Sequence, residues 1–120
     1  MSLRTCYEAL GGSLDAVLGR LPSERIVQKF VLKFLNEGSF DELMAAIAAR
    51  DGATAFRAAH TLKGVCLNLS FDRLLASSDE LCEALRGGWT DDAPEMAKRV
   101  EADYRATIEA IRAFEAELAG

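Results

Sequence analysis

The sequence predicts an all-α chain: an antiparallel, up-down four-helix bundle preceded by short N-terminal cap helices. Three observations predict it. Helix formers dominate, β-branched residues are sparse, and only two prolines occur in 120 residues. Apolar residues recur at steps of three and four along most of the chain, the period of a half-buried helix. The long periodic stretches are joined by short connections, which make neighbouring helices antiparallel. Half of the residues are hydrophobic, enough for a core without disulfides or metal, and the length is that of a single domain. Residues 1–120 are read as one unit, with 1–22 as the cap and 23–118 as the bundle.

Each element follows from local signals. Leu3 to Leu10 is a short apolar-rich piece stopped by Gly11-Gly12. Ser13 caps a second short helix carrying Leu14, Val17, Leu18 and Leu21, which Pro22 breaks. From Ser23, the series Ile26, Val27, Phe30, Phe34 has helical spacing up to a turn or kink at Asn36-Glu37-Gly38. Ser39-Phe40-Asp41-Glu42 reads as a capping box with Ser39 at the N-cap, opening a stripe of Phe40, Leu43, Met44 and Ile47. Asp51-Gly52 punctuates the chain before a long helix from Ala53 to Leu69. Ser70 is expected to cap the next helix, whose face is Phe71, Leu74, Leu75, Ser78, Leu81, Cys82 and Leu85 and which ends at Gly87-Gly88. Asp92 is the expected N-cap of the last helix, with Pro94 in its first turn. That helix carries Ala97, Val100, Tyr104, Thr107, Ile111, Phe114 and Leu118, a heptad-like seam that packs on its own neighbours or, less simply, on a second copy.

The long central helix holds the chemistry. On its wheel Ala55, Ala59, Leu62, Cys66 and Leu69 gather on a core face, and His60, the single histidine, points away from it. Lys63 and Gly64 lie one turn on, Arg57 one turn back, and Leu67 two turns on. Phe56 either borders the same patch or turns inward. Glycine inside a helix costs about 1 kcal/mol relative to alanine, and an exposed face does not demand it for packing. A missing side chain beside an exposed imidazole indicates that another surface comes close to that imidazole.

His60-Thr61-Leu62-Lys63-Gly64, preceded by Ala58-Ala59 and followed by Asn68-Leu69, resembles the signature of histidine-containing phosphotransfer (HPt) domains. The resemblance is strongest over residues 51–85 and extends more loosely over 26–118. Cys66 stands where the family often has serine or alanine, and Ser70 where it often has glycine. The resemblance implies that His60 accepts a phosphoryl group from an aspartate of one response-regulator receiver domain and passes it to another. It implies receiver domains as partners, with a hybrid histidine kinase as a further one. The receiver would supply the acid pocket and the divalent metal, so no intrinsic cofactor or metal site is expected. Lys63 would neutralise charge on the phosphoryl group, its flexible stem reaching a modified imidazole. Arg57, Gly64, Leu67 and Phe56 would form the partner-binding rim. Imidazole suits this role because its ordinary pKa leaves much of it neutral and nucleophilic near pH 7.

Other functions fit less well. A net charge of −5 disfavours nucleic acid and anionic membrane surfaces. No apolar run approaches the ~20 residues of a membrane span and no leader opens the chain, so a cytoplasmic monomer is expected. There is no phosphate-binding glycine loop and no carboxylate pair near His60 to hold magnesium, which argues against an ATP-dependent kinase acting alone. Cys6, Cys66 and Cys82 form no C-x-x-C pair, and His60 and Cys66 project about 120° apart on one helix, so they cannot share a zinc ion. A hydrolase with His60 as base lacks a nucleophile beside it, since Thr61 faces elsewhere. The main alternative is a non-catalytic helical module that docks a receiver or a partner helix and would tolerate loss of His60.

Overall fold

A computed structural model describes residues 1–120. The chain forms α1 (Leu3–Leu10), α2 (Leu14–Leu18), α3 (Glu24–Lys33), a 3-10 turn (Phe34–Asn36), α4 (Ser39–Ala48), α5 (Gly52–Leu69), α6 (Asp72–Leu85) and α7 (Ala93–Ala119). Serine side chains open the first three helices: Ser2, Ser13 and Ser23 each accept from the backbone N–H three residues on.

Helices α4 to α7 make the four-helix bundle. Each packs on its neighbour in sequence, and α4 touches α7 to close the ring. Their inward residues, among them Leu43, Ala55, Leu62, Cys66, Leu74, Leu81, Val100 and Ile111, form one continuous buried core. The α7 seam is internal: Ala97, Val100, Thr107, Ile111 and Phe114 are buried, whereas Leu118 beyond them is exposed. Helix α1 lies along α7, with Leu3, Cys6, Tyr7 and Leu10 turned inward. Aromatic contacts tie this cap to the bundle. Tyr7 and Phe34 both lean on Phe71, with ring centroids 5.7 and 5.2 Å apart, and Phe40 stacks on Tyr104 at 3.8 Å.

Three expected caps form differently. At Ser39 the capping box does not assemble. The Glu37 carboxylate instead takes both the Ser39 N–H (2.7 Å) and its hydroxyl (2.9 Å), so Ser39 is the first helical residue rather than the cap. Ser70 does not cap α6. It adopts a left-handed conformation (φ 56°) that ends α5, with the Phe71 N–H donating to the Cys66 carbonyl at 2.9 Å. Left-handed backbone favours glycine, the residue that the resemblance leads one to expect at this position. Asp92 precedes α7, but its side chain makes no capping hydrogen bond.

Both ends of α5 are pinned. At its start Asp51 accepts from the Thr54 N–H (3.1 Å) and hydroxyl (2.7 Å), bonds that hold its carboxyl below the usual carboxylate range. Gly52 follows because a Cβ there would lie 2.6 Å from the Trp89 backbone nitrogen, in the loop between α6 and α7. At its end the Tyr7 hydroxyl donates to the Leu69 carbonyl at 2.7 Å. Arg20 donates to the Leu67 and Asn68 carbonyls, at 2.8 and 3.2 Å, and to the Ser70 hydroxyl. A cation on these carbonyls complements the negative end of the helix dipole. The cap region thereby fixes the helix that carries the single histidine.

Candidate functional site

The site is the outer face of α5 and the adjoining edge of α6. The buried stripe of α5 consists of Ala55, Ala58, Ala59, Leu62, Cys66 and Leu69. The three alanines let the neighbouring helices approach closely and hold the stripe inward. That leaves His60, Thr61 and Leu67 exposed, with Phe56, Lys63 and Gly64 on the shoulder between core and solvent.

Phe56 settles the orientation that the sequence leaves open. It is half-buried, and its ring centroid lies 5.9 Å from that of His60, one turn before it on the same face. Gly64, one turn after His60, is unconstrained by packing: a Cβ built there meets nothing within 4 Å. The helix therefore carries a notch beside the imidazole that its own neighbours do not require. Thr61 is turned away, its hydroxyl donating to the Arg57 carbonyl at 3.0 Å. Arg57 reaches back to the Thr54 hydroxyl at 3.2 Å, toward the start of the helix and away from His60. Leu67, two turns on, is 54% exposed and forms the far rim of the face. The structure thus groups Phe56, His60, Lys63 and Gly64, sets Leu67 at the margin, and directs Arg57 elsewhere.

Charged groups from α6 complete the surroundings. The Lys63 ammonium lies 2.8 Å from Asp79 Oδ1 and 3.9 Å from Glu83 Oε1, so in the resting chain it is held by carboxylates. The Asp79 hydrogen bond is the main cause that raises its pKa above the ordinary lysine value. Glu83 also receives two bonds from Arg86, at 3.1 and 2.7 Å, and these hold its carboxyl below the usual range. The Arg86 guanidinium in turn sits 5.3 Å from the centroid of Phe56. Asp79, Glu83 and Arg86 were not apparent as site residues from the sequence. The three-residue spacing of Glu83 and Arg86 signals a helical pair, but only the packing of α6 on α5 brings that pair to Phe56 and Lys63.

Chemically, the face offers a solvent-accessible imidazole, two nearby cations, and an open notch at Gly64. The three cysteines are buried and unpaired. Burial pushes the Cys66 thiol up, away from thiolate chemistry. No group of three or more His, Cys, Asp or Glu side chains is placed to hold a metal ion. No helix is long and apolar enough to cross a membrane.

A helical bundle with one exposed histidine on a central helix defines the class, and comparison with known families agrees with it. The Hpt domain family matches residues 34–114, from the 3-10 turn to the last buried turn of α7, and the chain belongs to that family. Hpt domains are the phosphotransfer modules of two-component phosphorelays and interact with receiver domains. No curated protein and no solved structure matches the chain.

Proposed function

We propose that the chain relays a phosphoryl group between receiver-domain aspartates by way of a phosphohistidine at His60. The observation that carries the reading is the pairing of an exposed imidazole with the empty notch at Gly64. A lone pair of the His60 ring attacks the phosphorus of an aspartyl phosphate. The nitrogen–phosphorus bond forms as the acyl phosphate P–O bond breaks, and that electron pair leaves with the aspartate carboxylate. The reverse sequence loads the next receiver. Such a transfer needs alignment and charge neutralisation more than covalent machinery. The chain supplies a rigid helix to aim the ring, room at Gly64 for the approaching domain, and Lys63 within reach of the transferred group. The acid pocket and the divalent ion belong to the receiver in this reading. Lack of a phosphate-binding loop fits a domain that takes its phosphoryl group from another protein rather than from ATP.

The test is transfer from a phosphorylated receiver domain to the parent chain and to His60→Gln. Expected is complete loss of transfer in the variant, with circular dichroism and melting temperature unchanged because the ring is exposed. Persistent labelling of His60→Gln would overturn the assignment.

A docking module without chemistry is the second reading, and one feature favours it. A groove of about 360 Å³ runs beside α5, lined in part by Phe30, Phe34, Val65 and Leu69, and both Phe30 and Leu67 are exposed. Receiver binding that survives in His60→Gln is compatible with both readings. Transfer separates them.

A further inference from the structure

We propose that Asp79 is a positioning residue for this reaction: it competes with the phosphoryl group on His60 for the Lys63 ammonium and so sets how strongly the domain retains phosphate. The inference rests on the function proposed above, because it requires a phosphohistidine at His60.

Lys63 lies one turn from His60, a spacing that brings side-chain roots to about 5–6 Å on a helix surface. Its four-carbon stem can swing the ammonium over a large arc. In the resting chain that arc ends on α6, at 2.8 Å from Asp79 Oδ1. Glu83 is the weaker partner, at 3.9 Å, and is already engaged by two nitrogens of the Arg86 guanidinium. Asp79 has no other cation among its ion pairs, so it is the group that decides where Lys63 rests.

The pair can exchange. The Lys63 side chain is 27% exposed and that of Asp79 47%, so water screens the attraction and can replace either partner. A phosphoryl group carries nearly two negative charges and three acceptor oxygens, against one charge on the carboxylate. When His60 is phosphorylated, the ammonium leaves Asp79 and bonds a phosphoryl oxygen, and Asp79 returns to water. The Lys63 contact to the phosphohistidine is thus made at the expense of one already present. The domain then holds its phosphate less firmly than a free lysine would allow, which suits a carrier that must pass the group on.

Asp79→Asn tests this, since it keeps the shape of a half-exposed side chain and removes the charge. The parent and variant are each equilibrated with a phosphorylated receiver domain, and the ratio of phosphohistidine to phosphoaspartate is read. The variant should move that ratio toward His60 by about two- to fivefold, the range of an exposed ion pair. In a Lys63→Ala background the same substitution should produce a clearly smaller shift, and Asp79→Glu should restore the parent ratio. An equal shift in both backgrounds would make Asp79 only a repelling charge, and no shift would remove its influence; either overturns the proposal. A second readout needs no receiver. The Lys63 ammonium, followed by NMR titration, should lose its raised pKa in Asp79→Asn, and an unchanged titration would contradict the pairing. If neither the receiver nor phosphoramidate places phosphate on His60, the proposed function itself fails and this inference with it. Phosphorylation of His60 with no Asp79 effect overturns this inference alone.

Discussion

Replacing Gly64 should drive stability and function in opposite directions. A Cβ at this position meets no atom within 4 Å, so alanine introduces no clash. It also removes the conformational freedom that makes glycine unfavourable in a helix, a gain of about 1 kcal/mol. For a chain of this size that corresponds to a melting temperature higher by roughly 3–5 °C. A glutamine at the same place should keep the helix, since its helix propensity also exceeds that of glycine. Its side chain would, however, project from the shoulder of α5 beside the imidazole, into the space through which a receiver must come. In-line transfer needs the reacting atoms within about 3–3.5 Å, so a side chain that holds the surfaces a few ångströms apart should slow transfer by orders of magnitude. The assay pairs thermal melting with phosphotransfer for the parent, Gly64→Ala and Gly64→Gln. A glutamine variant transferring at the parent rate would refute the idea that the notch admits a partner. An alanine variant less stable than the parent would show that Gly64 serves packing after all.

Two further outcomes concern the frame that holds the site. Tyr7→Phe leaves the Leu69 carbonyl without its 2.7 Å donor, and urea unfolding should show a loss of about 1–3 kcal/mol; an unchanged midpoint would mean that water replaces the hydroxyl freely. Stability should also fall in alkali. Burial pushes the Cys6 thiol from 9.0 up to about 11 and raises Tyr7 as well, so the folded chain keeps protons that the unfolded chain releases. The contribution is whole below pH 9.0 and is lost as the pH rises from there through about 11. Unfolding curves at about pH 8 and about pH 10.5 should differ accordingly, with a shallower decline in Cys6→Ala.

The helices and their inward faces were legible because burial imposes a period on the sequence. Ala55, Ala59, Leu62, Cys66 and Leu69 fall on one side of α5 by spacing alone, and all are buried. The outward direction of His60 follows from the same wheel. What escaped were choices made between competing side chains. Ser39 and Glu42 satisfy the capping-box pattern, but the Glu37 carboxylate takes the Ser39 N–H that Glu42 would accept and also receives the Ser39 hydroxyl proton, while the Glu42 N–H donates to the Gly38 carbonyl. Ser70 looks like an N-cap in sequence, yet the tight return from α5 to α6 puts it in left-handed backbone at the end of the preceding helix. Lys63 reads as a free surface cation because its partners, Asp79 and Glu83, lie on α6 and reach it only through the rotation of one helix against another. Arg20 is invisible for the same reason, being distant in sequence from the carbonyls it binds.

Whether His60 is the phosphoacceptor is decided by the nature and location of the phosphate after transfer from a phosphorylated receiver domain. Relay through His60 requires one phosphoryl group per chain, labile in acid and stable in base as a nitrogen-bound phosphate is, mapping to His60 and absent from His60→Gln. A phosphate that is stable in acid, that maps to another residue, or that persists in His60→Gln would contradict it.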